Sequence, residues 1–268
     1  MTRLGQHFLA DRNILRKIVA ALDPQTDDVV IEIGPGEGSL TGIVAPLVSR
    51  VIAIEKDRRL AAELGGRGTG EGGRVIVAEG DALELDWHRL VVPVPRPPSP
   101  FPKFKVIGNI PYYITSPLIE KALTAPLPAC VVFLVQREVA DRLAAVPGSK
   151  TYGALSVGVQ AVCRVEKLFV VKAGAFRPAP KVDSAVVRFT PRVDPLIAPE
   201  ETAAFRAFVT ACFSRRRKQL RNAVMAATGW GAAAVLDLLA TLQLEPTARP
   251  ETLGAEAFAR LLRASRQL

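Results

Sequence analysis

Short β-branched runs recur along the first two thirds of the chain, and stretches with helical spacing lie between them. "DVVIEI" (28–33), "VIAIE" (51–55), "RVIVAEGDAL" (74–83), "KFKVIGN" (103–109) and "ACVVFLVQ" (129–136) have the apolar character of strands covered on both faces. Helix-like segments fall at 40–48, 57–64, 115–124 and 137–145. This alternation predicts an α/β fold with a doubly wound, mostly parallel sheet. "VEKLFVVK" and "SAVVRFTP" follow with only a proline-rich turn between them, which suits an antiparallel pair at the sheet edge and brings the strands to seven. After Pro191 the strand signals stop, and from about Pro199 the sequence is rich in Ala, Leu and Arg with helical spacing. The expected division is an α/β domain over 1–192 and a small all-α domain over 193–268.

A chain of 268 residues, 49% hydrophobic, can bury a full core and still carry a small second domain. No apolar run approaches the ~18–20 residues that would span a bilayer. The start, "MTRLGQHFLADRN", has no signal-peptide core before charge returns, so a cytoplasmic protein without a membrane partner is expected. Three widely spaced cysteines and two histidines give neither a disulfide framework nor a zinc site, and no metal is expected. The net charge of +9 and pI near 9.8 suit a polyanionic partner; a surface tuned for solubility is the bland alternative, and clustering of the charge separates the two. "VPVPRPPSPFP" (92–102) must be extended or polyproline-like; it is read as a stiff surface excursion rather than as a ligand for proline-binding modules.

"EIGPGEGSLT" (32–41) follows the first of these runs and opens a helix. Gly34, Gly36 and Gly38 let the backbone turn tightly and approach a ligand. A dinucleotide turn needs a third glycine where Ser39 stands, and Glu32 and Glu37 put negative charge where a pyrophosphate would sit. A ligand with a cationic methionine-type head and one ribose fits better. Glu55, about 20 residues on, stands where a carboxylate commonly accepts ribose hydroxyls. Asp81, in "GDAL" (80–83), ends the next strand and can accept from an adenine amino group. Together the turn and the two acids favour S-adenosylmethionine as the cofactor.

"GNIPYYIT" (108–115) places two of the chain's three tyrosines at the end of a buried strand, at the same sheet edge. Asn-x-Pro-Tyr supplies a side-chain carbonyl, a main-chain carbonyl that Pro111 helps fix, and an aromatic face. The exocyclic amine of adenine offers two N–H donors, and its lone pair is delocalised into the ring. The oxygen of Asn109 and a main-chain carbonyl at Ile110 or Pro111 can bind those hydrogens, favour a pyramidal nitrogen and free the lone pair for methyl transfer. Tyr112 would stack on the base. A strand-end asparagine turn with a packed tyrosine is the structural alternative.

In this order the motifs are specific. "GQHFL" (5–9), "EIGPGEGSLT", "IEKD" (54–57), "GDAL", "GNIPYYIT", "VFLVQREVADRL" (132–143), "KTYGALSV" (150–157), "AFRPAPKVDSAVVR" (175–188) and "FSRRRKQLRN" (213–222) span nearly the whole chain. The sequence resembles the small-subunit ribosomal RNA adenine N6,N6-dimethyltransferases, whose loss gives kasugamycin resistance. The resemblance implies a Rossmann-like class I methyltransferase domain that dimethylates two adjacent adenosines near the 3′ end of small-subunit rRNA, within a pre-assembled subunit. It assigns cofactor contacts to His7, Leu9, Gly34, Glu55, Asp81 and Asn109, with Gly36 in the same turn. It gives Asn109, Pro111 and Tyr112 to the target base, and Phe176 lies in the motif that supplies a second stacking ring. His7 stands where many members carry Asn. A monomer is expected.

"SRRRKQLRN" (214–222) concentrates five cations, Arg215, Arg216, Arg217, Lys218 and Arg221, with no acid among them. On one helix they would form a basic ridge for phosphate contact, and a solvated face would normally alternate sign. In the family this small helical domain helps dock the subunit. Two rival readings share the motifs: a large-subunit methylase of the macrolide-resistance type, and a fold-retaining factor that binds RNA or DNA without catalysis. "KTYGALSV" and "RRRKQLRN" favour the small-subunit branch, and the intact Asn109–Tyr112 stretch speaks against lost catalysis.

Overall fold

A computed structural model describes residues 7–68, 73–91, 104–214 and 218–266. The proline-rich stretch 92–102 and Arg215, Arg216 and Arg217 lie outside the described residues. The chain divides into two compact units, one of Met1–Ala140 with Glu166–Pro191, the other of Asp141–Val165 with Arg192–Leu268.

Nine strands are described: β1 (Phe8–Leu9), β2 (Val29–Ile33), β3 (Arg50–Glu55), β4 (Val75–Glu79), β5 (Phe104–Asn109), β6 (Cys130–Gln136), β7 (Cys163–Val171), β8 (Phe176–Arg177) and β9 (Ser184–Pro191). Seven form one sheet in the order β4-β3-β2-β5-β6-β9-β7. The β2, β3, β4, β5 and β6 neighbours run parallel, and β9 runs antiparallel to β6. β2 is buried along its whole length and β6 along all but its last residue, which explains their unbroken apolar sequences. From β2 the chain steps outward to β3 and β4, then returns to lay β5 on the other side of β2. That reversal opens a crevice at the carboxyl ends of β2 and β5, where open α/β sheets bind ligands.

One sheet face is covered by helix Arg12–Leu22, whose Leu15, Ile18, Val19 and Leu22 join Val30, Ile107, Val132 and Leu134 in the core. Asp11 caps its start, accepting from the main-chain N–H groups of Asn13 and Ile14. β1 and β8 form a separate two-residue antiparallel ladder, Phe8 opposite Arg177 and Leu9 opposite Phe176. At the amino ends of the strands, buried Lys105 lies 2.8 Å from Asp28, away from the crevice.

The second unit is helical, with Ala154–Gln160, Thr202–Ser214, Leu220–Thr228, Ala232–Thr241 and Ala255–Ala264. Its later part begins at Arg192, one residue from the expected boundary, but the unit also takes in 141–165, expected in the first domain. Tyr152 supplies the reason. Its ring is fully buried against Phe213, and its hydroxyl donates to the Leu253 carbonyl at 3.0 Å. Among the described residues no single helix is long and apolar enough to cross a membrane.

Candidate active site

The glycine turn after β2 is held open by its own geometry. Gly36 has φ +55°, and a Cβ there would meet the Phe8 ring at 2.7 Å. Its N–H instead donates to Glu55 Oε2 at 3.0 Å, while the Asp57 N–H donates to Oε1 at 2.9 Å. The Glu55 carboxylate, buried at the end of β3, is therefore fixed in orientation before any ligand arrives. Parallel register carries the same edge to β4, beyond which Asp81 sits in the pocket wall. Asp81 Oδ1 accepts from the Leu83 N–H, and Oδ2 lies 2.7 Å from Lys56 Nζ. The hydrogen bond from Lys56 holds the Asp81 carboxyl below the usual range, so the group stays ionised as an acceptor.

Across β2, Gly108 lets β5 approach closely: a Cβ there would sit 2.8 Å from the Ile33 carbonyl oxygen. Asn109 follows at the strand end, and its Nδ2 donates to the His7 carbonyl at 2.9 Å. Because a carbonyl only accepts, this contact fixes which end of the amide is nitrogen. The Asn109 oxygen has no donor among the described residues. Ile110 N–H donates to the Leu134 carbonyl at 3.0 Å, and Pro111 has no N–H to give. The Pro111 carbonyl accepts from Ile114 N–H and Thr115 Oγ1, whereas the Ile110 carbonyl accepts from no described donor. Of the two main-chain carbonyls left open by the sequence, Ile110 is thus the one on offer.

Tyr112 is anchored by a 2.8 Å hydrogen bond between its hydroxyl and buried Ser184 Oγ, and its ring faces His7. His7 Nδ1 in turn lies 2.8 Å from the Pro178 carbonyl. One pocket collects His7, Gly34, Gly36, Glu55, Asp81, Asn109, Pro111 and Tyr112, all expected at the site.

Two expected residues lie elsewhere. Leu9 and Phe176 are both in the core cluster, at 5% and 1% exposure, and neither lines the pocket. Strand alternation is the cause for Leu9: in β1 the neighbouring Phe8 takes the pocket side. Phe176 is locked opposite Leu9 in β8, and exposing its ring would cost about 1.5–3 kcal/mol of burial. Glu32, expected to repel a pyrophosphate, is also outside the pocket wall. It accepts from Thr41 Oγ1 at 2.7 Å, and burial pushes its carboxyl up to about 7. Conversely Phe8, Lys56 and Tyr113 line the pocket without having been singled out. Tyr113 carried a signal, being an aromatic beside an expected site residue. Lys56 carried none, because its place depends on Asp81, a residue distant in sequence.

Of the basic run only Lys218 and Arg221 are among the described residues, and helix Leu220–Thr228 begins between them, with the Leu220 and Arg221 N–H groups donating to the Ala248 and Pro246 carbonyls. Lys218 therefore precedes the helix that carries Arg221; both are exposed. Charge still concentrates in this unit, whose 14 Lys and Arg against 8 Asp and Glu give +6 of the chain's +9.

The same fold occurs in solved proteins. A dimethyladenosine transferase from Plasmodium falciparum is 31% identical, covers 97% of this chain with 98% of its own, and superposes with a TM-score of 0.81. The 23S rRNA methyltransferase ErmE is 27% identical, covers 97% of this chain with 100% of its own, and gives 0.73. The chain thus has the Rossmann-like fold of the class I methyltransferases, with its glycine turn and Asn-Ile-Pro-Tyr lip meeting at the switch point. The ribosomal RNA adenine dimethylase family model matches residues 1–252. Curated relatives named ribosomal RNA small subunit methyltransferase A are similar over 97% of the chain. That of Hahella chejuensis is 40% identical over 90% of its own length, and that of Chromohalobacter salexigens 42% over 89%. The chain belongs to the ribosomal RNA adenine dimethylase family.

Proposed function

We propose that this protein is the S-adenosylmethionine-dependent enzyme that dimethylates N6 of two adjacent adenosines near the 3′ end of small-subunit rRNA. It acts as a cytoplasmic monomer on a pre-assembled small subunit. One observation carries the reading: at the switch-point pocket two oxygens, Asn109 Oδ1 and the Ile110 carbonyl, have no donor among the described residues and stand beside an anchored aromatic ring. That is the complement of an aminopurine with two N–H groups.

The pocket suits the cofactor, since the cradle at Gly36 admits no side chain and two oriented carboxylates stand at successive strand ends. When bound, S-adenosylmethionine supplies an electrophilic sulfonium methyl. Glu55 would accept from the ribose hydroxyls and Asp81 from the adenine amino group, and Gly34 and Gly36 would leave room for the methionine portion. Leu9, its side chain in the core, can contribute main-chain atoms alone. Asn109 Oδ1 and the Ile110 carbonyl accept the two target N–H groups and turn the nitrogen lone pair out of the ring plane. Tyr112 stacks on the base, a contact worth roughly 1–3 kcal/mol. The alkylated nitrogen is acidic enough to lose its proton to water. The basic second unit supplies sequence-independent phosphate contacts, leaving the choice of base to the pocket.

Small subunits lacking the modification, incubated with enzyme and tritiated methyl donor, should yield labelled N6,N6-dimethyladenosine on nucleoside analysis. Label appearing on large-subunit rRNA instead would move the protein to the macrolide-resistance branch. Binding without any label would leave the non-catalytic reading.

A further inference from the structure

The loop that carries Asp81 is held by two side chains outside the pocket wall, Trp87 and Lys121. The Leu83 N–H donates to Asp81 Oδ1 at 2.8 Å. The oxygen of that same peptide group, the Ala82 carbonyl, accepts from the indole N–H of buried Trp87 at 2.8 Å. The next carbonyl, that of Leu83, accepts from Lys121 Nζ at 2.6 Å, and this ammonium lies 5.7 Å from the centre of the Trp87 ring. We propose that Lys121 and Trp87 are positioning residues for cofactor recognition, fixing the Ala82–Leu83 peptide so that Asp81 meets the adenine amino group. The proposal rests on the reading of Asp81 as the acceptor for that group.

A carboxylate discriminates one N–H donor from its absence only if its rotation is restrained before the ligand arrives. Lys56 restrains Asp81 Oδ2, but its side chain is 58% exposed, and an ion pair of that kind is weak and screened by salt. The Leu83 N–H is the other restraint on the carboxylate. It is as rigid as the peptide plane to which it belongs, and Trp87 holds the opposite edge of that plane. The indole bond also polarises the amide, which strengthens its N–H as a donor to Asp81. The main-chain carbonyl of Asp81 accepts from the Glu84 and Leu85 N–H groups, so the backbone on both sides of the carboxylate is fixed. Lys121 stands in the last turn of helix Thr115–Ala122, which follows directly on the Tyr112–Ile114 turn. One short helix thus joins the lip at Asn109–Tyr112 to the loop that holds Asp81.

The test measures by calorimetry the affinity of wild type, Lys121→Met and Trp87→Phe for S-adenosylhomocysteine and for S-inosylhomocysteine, which has a carbonyl where adenine has its amino group. Circular dichroism and denaturant midpoints check that each protein is folded. Wild type should prefer the adenine compound by at least about tenfold, the scale of a hydrogen bond to a charged group. Lys121→Met keeps the apolar stem and removes the ammonium; Trp87→Phe keeps an aromatic ring and removes the N–H. Each should reduce the preference by about threefold or more, through weaker binding of S-adenosylhomocysteine alone. An equal loss for both compounds would mean that the pair only maintains the fold, and an unchanged preference that Asp81 needs no brace; either result overturns the proposal. Should one variant fail to fold, the other decides. Equal affinity of the wild type for the two compounds is a separate outcome: it removes the amino-group role of Asp81 itself, and the brace falls with it.

Discussion

Asn109 Nδ2 donates to the His7 carbonyl oxygen at 2.9 Å, and this contact decides what the amide can do. With the nitrogen committed to the N-terminal strand, the oxygen is left as an acceptor beside the open carbonyl of Ile110. A strand-end asparagine serving only to cap its own turn would have spent its oxygen on a neighbouring N–H. An oxygen with no donor among the described residues is the feature that would separate a catalytic lip from a turn.

Gly108 is required by the backbone of its neighbour. A methyl group there would stand 2.8 Å from the Ile33 carbonyl and 2.9 Å from Ile110 Cδ1, and must displace the end of β5 that carries Asn109. Gly108→Ala should lower kcat by at least ~10-fold, since small misplacements of a reacting group are costly, while the protein still folds. Initial rates with small subunits, alongside circular dichroism, check this; full activity would show that β5 can shift without moving the amide.

Glu32 makes stability depend on pH in an unusual direction. Its carboxyl is raised from 4.5 to about 7, chiefly by burial. Below 4.5 both folded and unfolded chains hold the proton. Between 4.5 and about 7 the unfolded chain releases it and the folded one keeps it, so stability falls as pH rises through that window and stays lower above it. The shift corresponds to about 3 kcal/mol. Denaturant midpoints across the window should show wild type losing that amount relative to Glu32→Gln. Parallel curves for the two proteins would mean that the carboxyl is not desolvated.

Lys218 and Arg221 are exposed at the junction before and within helix Leu220–Thr228, in the unit that holds most of the net charge. If each meets a phosphate, the double substitution to Gln should weaken small-subunit binding and reduce the slope of log affinity against log salt by roughly 1–2. The rate at saturating subunit should stay unchanged. An unaltered salt slope would place the RNA on another face.

Much of this was legible because strand ends are legible. Gly34, Glu55, Asp81 and Asn109 each close an apolar run, and a parallel sheet must bring such ends to one edge. What escaped was decided by contacts between distant segments. β1 and β8 are two residues long, too short for any period to register, yet their pairing sends Phe8 to the pocket and Leu9 and Phe176 to the core. The choice of Ile110 over Pro111 turned on the bonds from Ile114 and Thr115. Tyr152 drew its segment into the helical unit through Phe213 and Leu253, far along the chain. The basic run read as one helix, but Lys218 stands outside helix Leu220–Thr228, whose first residues are held by main-chain bonds to 246 and 248.

The most direct measurement is single-turnover methyl transfer by Asn109→Ala at saturating cofactor and small subunit, with subunit binding followed in parallel. Removing an acceptor that acts chiefly in the transition state should slow transfer by at least ~10²-fold and leave subunit binding as it was. Transfer at a near wild-type rate would contradict the assignment of the amide oxygen to the reacting amine.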